Sequence, residues 1–431
     1  MYNLDSHYQN ILSFAKTIIA DSILVYLHPF GSTQPENIES IGGITKGPLL
    51  IGYDQEPTDF NYNQELLDTI IRNFKDDHGY TRPTIFINTE KVSSEKQKIL
   101  QAFNFYDVNY FFHGLCASDW YRGYRFDSSI TSPSERKLTK KFITFNRITG
   151  SNRVYRTLLI GELTDVLDQG YVSYSEHCPV HDEYYTNALY AKWREYELDH
   201  VYIEKIINNL NKLNFPLRID SDENNIPNGS YSIGPTRELM SSFLHIVTET
   251  MFWDERTHLT EKIFKPIVAK QPFVLVGCAN NLEYLKSYGF KTFDRWWDES
   301  YDNIIDPIER IKAIAEIIKD ICNKSLSELE NILAEMNDVL TYNYNWFYSD
   351  NFINLIYNEL TDNLKTVLVE LRDSKFKNIA IDRFDDAFRS GFILGTPTLR
   401  DLYISRKSIQ TQYQHKPWTP PEACSKSGDT I

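Results

Sequence analysis

Apolar residues fall into two rhythms along the chain. Short, mostly apolar runs occur at residues 23–27, 48–53, 84–88 and 108–112, and between them, near 8–20, 62–76 and 93–103, apolar positions recur at helical spacing. Strands without polar alternation are buried on both faces, so their alternation with amphipathic helices predicts a parallel sheet covered on each side. Residues 1–135 therefore predict a first Rossmann-like unit. The Ser-rich stretch from Asp127 to Glu135, with Pro133 inside it, predicts the linker that closes it.

The pattern then starts again. Strands are predicted at 142–145, 244–247 and 272–276, with helices near 152–165, 184–212, 259–270 and 280–287. The clearest helix follows Asp306, a capping residue with Pro307 at the first position and Glu309 completing a capping-box pattern. Ile308, Ile311, Ile314, Ile318 and Ile321 then trace one apolar face. Further helices carry the second unit to residue 371, and residues 372–431, rich in Pro, Lys and Ser near the end, predict a partly irregular extension. The expected fold class is α/β: two Rossmann-like domains, 1–135 and 136–371, with parallel sheets facing across a cleft. Ligands of such sheets gather at the carboxyl ends of the strands.

Composition narrows the chemistry. The 45 Lys+Arg stand against 59 Asp+Glu, a net charge of −14, which disfavours a general electrostatic grip on nucleic acid or anionic lipid. Any phosphate-bearing ligand must be held by a local cluster. Aromatic residues at 14% exclude a largely disordered chain. Five scattered cysteines, Cys116, Cys178, Cys278, Cys322 and Cys424, do not form a disulfide pattern and predict a reducing, cytoplasmic setting. No apolar run approaches the ~18 residues that span a bilayer, and the first residues carry no export-signal pattern, so no membrane span is expected.

The residues after the strands supply the candidates. A buried strand ends in Glu249, and after a polar loop a helix is predicted to open with Thr260, Glu261 and Lys262 before the next strand runs to Gly277. A helix N-terminus and a first-turn lysine suit phosphate oxygens, and carboxylates can accept hydrogen bonds from sugar hydroxyls. The bland alternative makes Glu261 an ordinary first-turn acid and leaves Lys262 and Lys265 on a solvated face. Earlier in the chain, a strand ending in Asn146 and Arg147 leads through a Thr-Gly-Ser-Asn turn to Arg153 and Arg156, several cationic donors suited to a diphosphate. A basic surface helix is the alternative there. In the first unit, Asp54 and Glu56 follow a buried strand and Pro57 stops its continuation. A carboxylate so placed can deprotonate an acceptor hydroxyl; Glu56 is the preferred base and Asp54 its competitor, with a plain strand-end turn as the alternative. His113 and Asp119 end a further strand and predict structural roles, or a lining on the acceptor side.

The block from Glu249 through Thr260-Glu261-Lys262 to Gly277 resembles the donor-binding half of GT-B glycosyltransferases, most nearly the α-1,3-fucosyltransferase type. The stretch from Asn281 to Asp302 is similar to phage and bacterial members of such families. The resemblance covers residues 140–310 and extends only weakly to the first half. It implies that Glu249, Glu261 and Lys262 contact the donor's ribose and phosphates, and that Asn146, Arg147, Arg153 and Arg156 stand at the start of the donor domain. The Glu249-to-Glu261 spacing differs by a short insertion, so sugar and nucleotide identity do not carry over. The resemblance implies a glycosyltransferase, inverting and independent of metal or other cofactor. It would use a nucleotide-diphosphate or monophosphate sugar as co-substrate and a glycan as acceptor hydroxyl.

Two other readings stay open: glycosylation of hydroxymethylated DNA bases, which the net charge disfavours, and a non-catalytic nucleotide- or sugar-binding protein. A composition rich in Asn, Ile, Lys and Tyr is compatible with an AT-rich viral genome, hence with a phage protein in its host's cytoplasm. Asp220 and Asp222 mimic a metal-binding Asp-x-Asp pair, and His177, Cys178 and His181 a zinc site; both are expected to be loop residues.

Overall fold

The computed structural model describes residues 7, 8, 11, 23–27, 38–41, 47–74, 81–178, 180–219 and 232–374. The Asp220/Asp222 pair, Cys424 and nearly all of the C-terminal extension lie outside them, as does most of the helix expected at 8–20.

The first sheet contains β1 (Ile23–Leu27), β2 (Ile38–Ile41), β3 (Leu49–Tyr53), β4 (Thr84–Asn88) and β5 (Tyr106–Asn109) in the order β2-β1-β3-β4-β5. Strand β2 runs antiparallel to β1, and the other four are parallel. Their alternating side chains divide the apolar load between two faces. Leu49, Ile51, Tyr53 and Phe86 pack on Leu66, Leu67 and Ile70 of α1 (Phe60–Asn73) and Ile99 of α2 (Ser94–Phe103). Leu24, Leu50, Ile85, Ile87 and Val108 join a core that continues through the second sheet. Both helices begin under the caps their sequence supplies, with Asp59 accepting from the Tyr62 amide and Ser93 from the Lys96 amide.

The strand expected over 108–112 stops at Asn109, and Phe112 opens α3 (Phe112–Trp120). Packing decides this: the Phe111 amide donates to Glu359, and Gly114 lies so close to the last helix that an added Cβ would come within 2.7 Å of Ile356.

The second sheet is wholly parallel: β6 (Lys140–Phe145), β7 (Gly170–Ser173), β10 (Ser242–Thr248) and β11 (Phe273–Val276), in the order β11-β10-β6-β7. A small hairpin, β8 (His177–Cys178) with β9 (Glu183–Tyr184), stands beside it. The helices are α4 (Tyr155–Glu162), α5 (Tyr185–Tyr196), α6 (His200–Leu210), α7 (Thr236–Met240), α8 (Phe264–Val268), α9 (Asn281–Ser287), α10 (Pro307–Cys322), α11 (Leu326–Glu335), α12 (Asn337–Phe347) and α13 (Asp350–Ser374). Asp306 caps α10 as expected, accepting from the Ile308 and Glu309 amides at 2.8 Å each. The helix expected over 184–212 breaks at Glu197, which takes a left-handed φ of 50°, and restarts under the Asp199 cap.

Two features position the site. The chain leaves β6 for β7 on one side and returns to β10 on the other, so the topological switch point of this sheet lies between β6 and β10. The predicted linker is docked rather than loose: the Arg136 side chain donates to the carbonyls of Thr131 and Ala269, and the Leu138 amide donates to Glu330 of α11. Finally α13 returns to the first sheet, where Asn363 donates to the Asn109 carbonyl. Among the described residues no helix is long and apolar enough to cross a membrane.

Candidate functional site

The loops at the carboxyl ends of the two sheets meet. Arg256, in the loop after β10, donates to the Thr58 carbonyl at 2.9 Å and to Glu90 at 2.8 Å, and the Thr257 amide donates to the Val92 carbonyl. Glu90 also accepts from the amide and hydroxyl of Thr58. Asp254 binds the other edge of the Arg256 guanidinium. Burial alone would lower the Arg256 pKa, but Glu90 and Asp254 reverse this and hold it above the ordinary arginine value.

Asp54 and Glu56, two residues apart, have opposite surroundings. Asp54 is buried, and its two carboxylate oxygens accept from the hydroxyls of Tyr8 and Tyr110, the latter at 2.6 Å. His7 and Gln55 extend this network to both tyrosines. Burial outweighs these bonds and lifts the Asp54 pKa from 3.8 to about 6. Its proton affinity would suit a base, but its oxygens are already committed, so its role is to tie the N-terminal segment to the end of β3. Because the folded value lies above the unfolded one, Asp54 stabilises the fold fully below pH 3.8 and loses that contribution as pH rises through about 6. Urea unfolding of Asp54→Asn should therefore show a shallower loss of stability over that pH interval than wild type, and an unchanged slope would exclude Asp54 as the titrating group.

Glu56 is half-buried and its carboxylate has no hydrogen bond or ion pair within the described protein. Burial raises its pKa, Arg153 and Lys262 oppose the rise, and Glu261 supports it. Arg153, Lys262 and Glu261 thus lie within electrostatic reach of the Glu56 carboxylate. Arg153 is itself half-buried without a hydrogen-bonded partner; burial and Arg156 lower its pKa while Glu56 raises it. Lys262 reaches Thr250, Thr260 and Glu261 at 3.1–3.2 Å. Burial works to raise the Glu261 pKa, yet Lys262 leads the opposing charges that bring it to about 2. Lys265 lies near enough to contribute, and burial lowers its own pKa to about 8. Residues separated by two hundred positions thus form one cationic cluster around a carboxylate without a partner, beside the switch point.

Other predicted site residues do different work. Arg156 is buried and donates to the carbonyls of Ile148, Thr248 and Glu249, joining the ends of β6 and β10. Glu249 is fully buried and accepts from Thr260 and from the Thr250 amide. Burial raises its pKa, against Lys262 and the Thr260 hydroxyl. Both therefore hold the site together from behind. Asn146 bonds through its amide to Ser173 and leaves Oδ1 buried without a partner, whereas Arg147 is exposed. The helix expected at 259–270 is one 3-10 turn, Glu261–Ile263, followed by the five residues of α8. So short an element supplies little macrodipole, and its leading amides already bond Glu249 and Thr260. The positive charge available to a ligand resides in Arg153, Lys262 and Lys265.

His113 does not have the satisfied surroundings expected of a structural histidine. Its Nδ1 lies 3.9 Å from Glu261, outside hydrogen-bond range, and neither ring nitrogen has a partner; the same holds for His258, which packs against it. Leaving buried polar atoms unpaired costs on the order of 1–3 kcal/mol each. Asp119 pairs with Arg122. His177 pairs with Asp182, and among the described residues no three His, Cys, Asp or Glu side chains come together as a metal-binding group. Sequence reasoning missed His258 and the Arg256–Glu90 pair, because neither sits in a local pattern that differs from an ordinary polar loop.

No family model, curated protein or solved structure matches the chain. The fold therefore defines its class alone: a mixed α/β protein whose two larger sheets each contain four parallel strands.

Proposed function

We propose that the protein transfers a sugar from a nucleotide donor to an acceptor hydroxyl, with inversion at the anomeric carbon. The observation that carries this reading is the unpartnered Glu56 carboxylate beside Arg153 and Lys262 at the meeting carboxyl ends of the sheets. In the proposed step Glu56 accepts the acceptor's O–H proton while that oxygen bonds to the anomeric carbon. The bond from the anomeric carbon to the phosphate oxygen breaks, and its electron pair leaves with the nucleotide. Arg153 and Lys262 stabilise that developing charge, as oriented cationic donors do in a site partly shielded from water. They take the role a divalent cation has elsewhere, so transfer should persist in excess EDTA. A glycan is the preferred acceptor; the net charge of −14 keeps DNA as the lesser choice.

Isothermal titration with UDP, GDP, dTDP and CMP tests the donor site. One nucleotide should bind, and Lys262→Ala or Arg153→Ala should weaken it about 10- to 100-fold, the usual loss for a hydrogen bond to a charged group. No binding, or binding indifferent to both substitutions, removes the basis of the proposal. Binding without transfer or donor hydrolysis would leave a nucleotide-binding protein.

A further inference from the structure

His113 and His258 come from opposite halves of the chain, one in α3 directly after β5 and the other in the loop after β10. Their rings meet edge to face, with centroids 5.3 Å apart and planes at 88°. Both side chains are more than nine-tenths buried, and all four ring nitrogens lack a hydrogen-bond partner. A core histidine retained only for packing normally satisfies at least one nitrogen, since an unpaired one carries its full desolvation cost. This pair instead presents two donors and two acceptors in one place.

Burial lowers the pKa of both rings, to about 4 for His113, so both are neutral at pH 7. Neutral imidazoles suit uncharged hydroxyls, which both donate and accept, better than they suit phosphate. The cations suited to phosphate are adjacent: Glu261 lies 3.9 Å from His113 Nδ1, and Lys262 bonds the same carboxylate at 3.2 Å.

Resting on the donor-site reading above, we infer that His113 and His258 form the subsite that holds the hydroxyls of the transferred sugar. A sugar hydroxyl accepts from one ring N–H and donates to the bare nitrogen of the other ring. Because His113 follows the last strand of the first sheet and His258 follows β10 of the second, a sugar that binds both rings does so across the junction and parts the edge-to-face contact.

The test compares each nucleoside diphosphate with its sugar conjugate by calorimetry on the full chain: UDP with UDP-glucose, GDP with GDP-mannose and GDP-fucose, dTDP with dTDP-glucose. H113F and H258F keep an aromatic ring and remove the nitrogens. Each should weaken the bound sugar conjugate about tenfold and leave the diphosphate unchanged. Without ligand, each should melt at or above the wild-type temperature, because unpaired nitrogens have been replaced by carbon. If the diphosphate binds and neither variant separates it from its conjugate, the sugar subsite is wrong and the donor site stands. If neither this panel nor CMP binds, both fall. Melting temperatures lowered in both variants would assign the pair to structure instead. Should one variant fail to fold, the other carries the comparison.

Discussion

Glu56→Gln should reduce the transfer rate by about 10²–10⁴-fold, the range supplied by a positioned general base, with nucleotide affinity nearly unchanged. The amide matches the carboxylate in shape and cannot take the acceptor's proton. Asp54 is a poor substitute, since it is buried and its oxygens already accept from Tyr8 and Tyr110. The wild-type pH profile should carry the same signature. Burial raises the Glu56 pKa, so the rate should rise with pH along a limb that lies above the ordinary glutamate range. Glu56→Gln should abolish that limb. Near-wild-type turnover by a variant that still binds donor would show that Glu56 is not the base.

Arg256→Met should destabilise the protein by about 3–5 kcal/mol, because it leaves Glu90 charged and buried with its cation gone. Glu90 is fully buried and Arg256 is 5% exposed, so water cannot take the place of either partner. The hydroxyl and amide of Thr58 remain as donors to Glu90 but carry no positive charge. The double variant Arg256→Met, Glu90→Gln should recover much of the loss, since no isolated charge remains. Urea unfolding measures both; a single variant within about 1 kcal/mol of wild type would show that the pair is not what joins these loops. The consequence reaches function, because the same loop carries His258 and leads to Thr260 and Lys262.

Much of the fold was legible in the chain. Residues 49–53, 84–88, 242–248 and 273–276 are short, mostly apolar runs, and each forms a strand buried along its whole length. Asp59, Ser93 and Asp306 fix helix starts through bonds made within three residues. Strand β7 was missed because it is short and begins at Gly170, where a Cβ would come within 2.2 Å of the Phe142 ring; the glycine is there for packing, not for strand propensity. At the site, the carboxylate and cations were recognisable as residue types near strand ends. Which of them keep free groups was not recognisable: Arg153 and Arg156 look alike three residues apart, yet only Arg156 reaches three carbonyls. Asp54 and Glu56 differ in the same way.

The sequence alone determined the α/β class with parallel strands, the capped helix start at Asp306 and the absence of a general positive field, since these depend on local periodicity, short-range capping and total charge. Tertiary structure alone decided that Glu56 comes within electrostatic reach of Arg153 and Lys262, that Asp54, Arg156 and Glu249 are bonded internally, and that His113 meets His258. Each of those outcomes depends on which distant groups satisfy a buried donor or acceptor, and no local pattern in a single chain encodes that pairing.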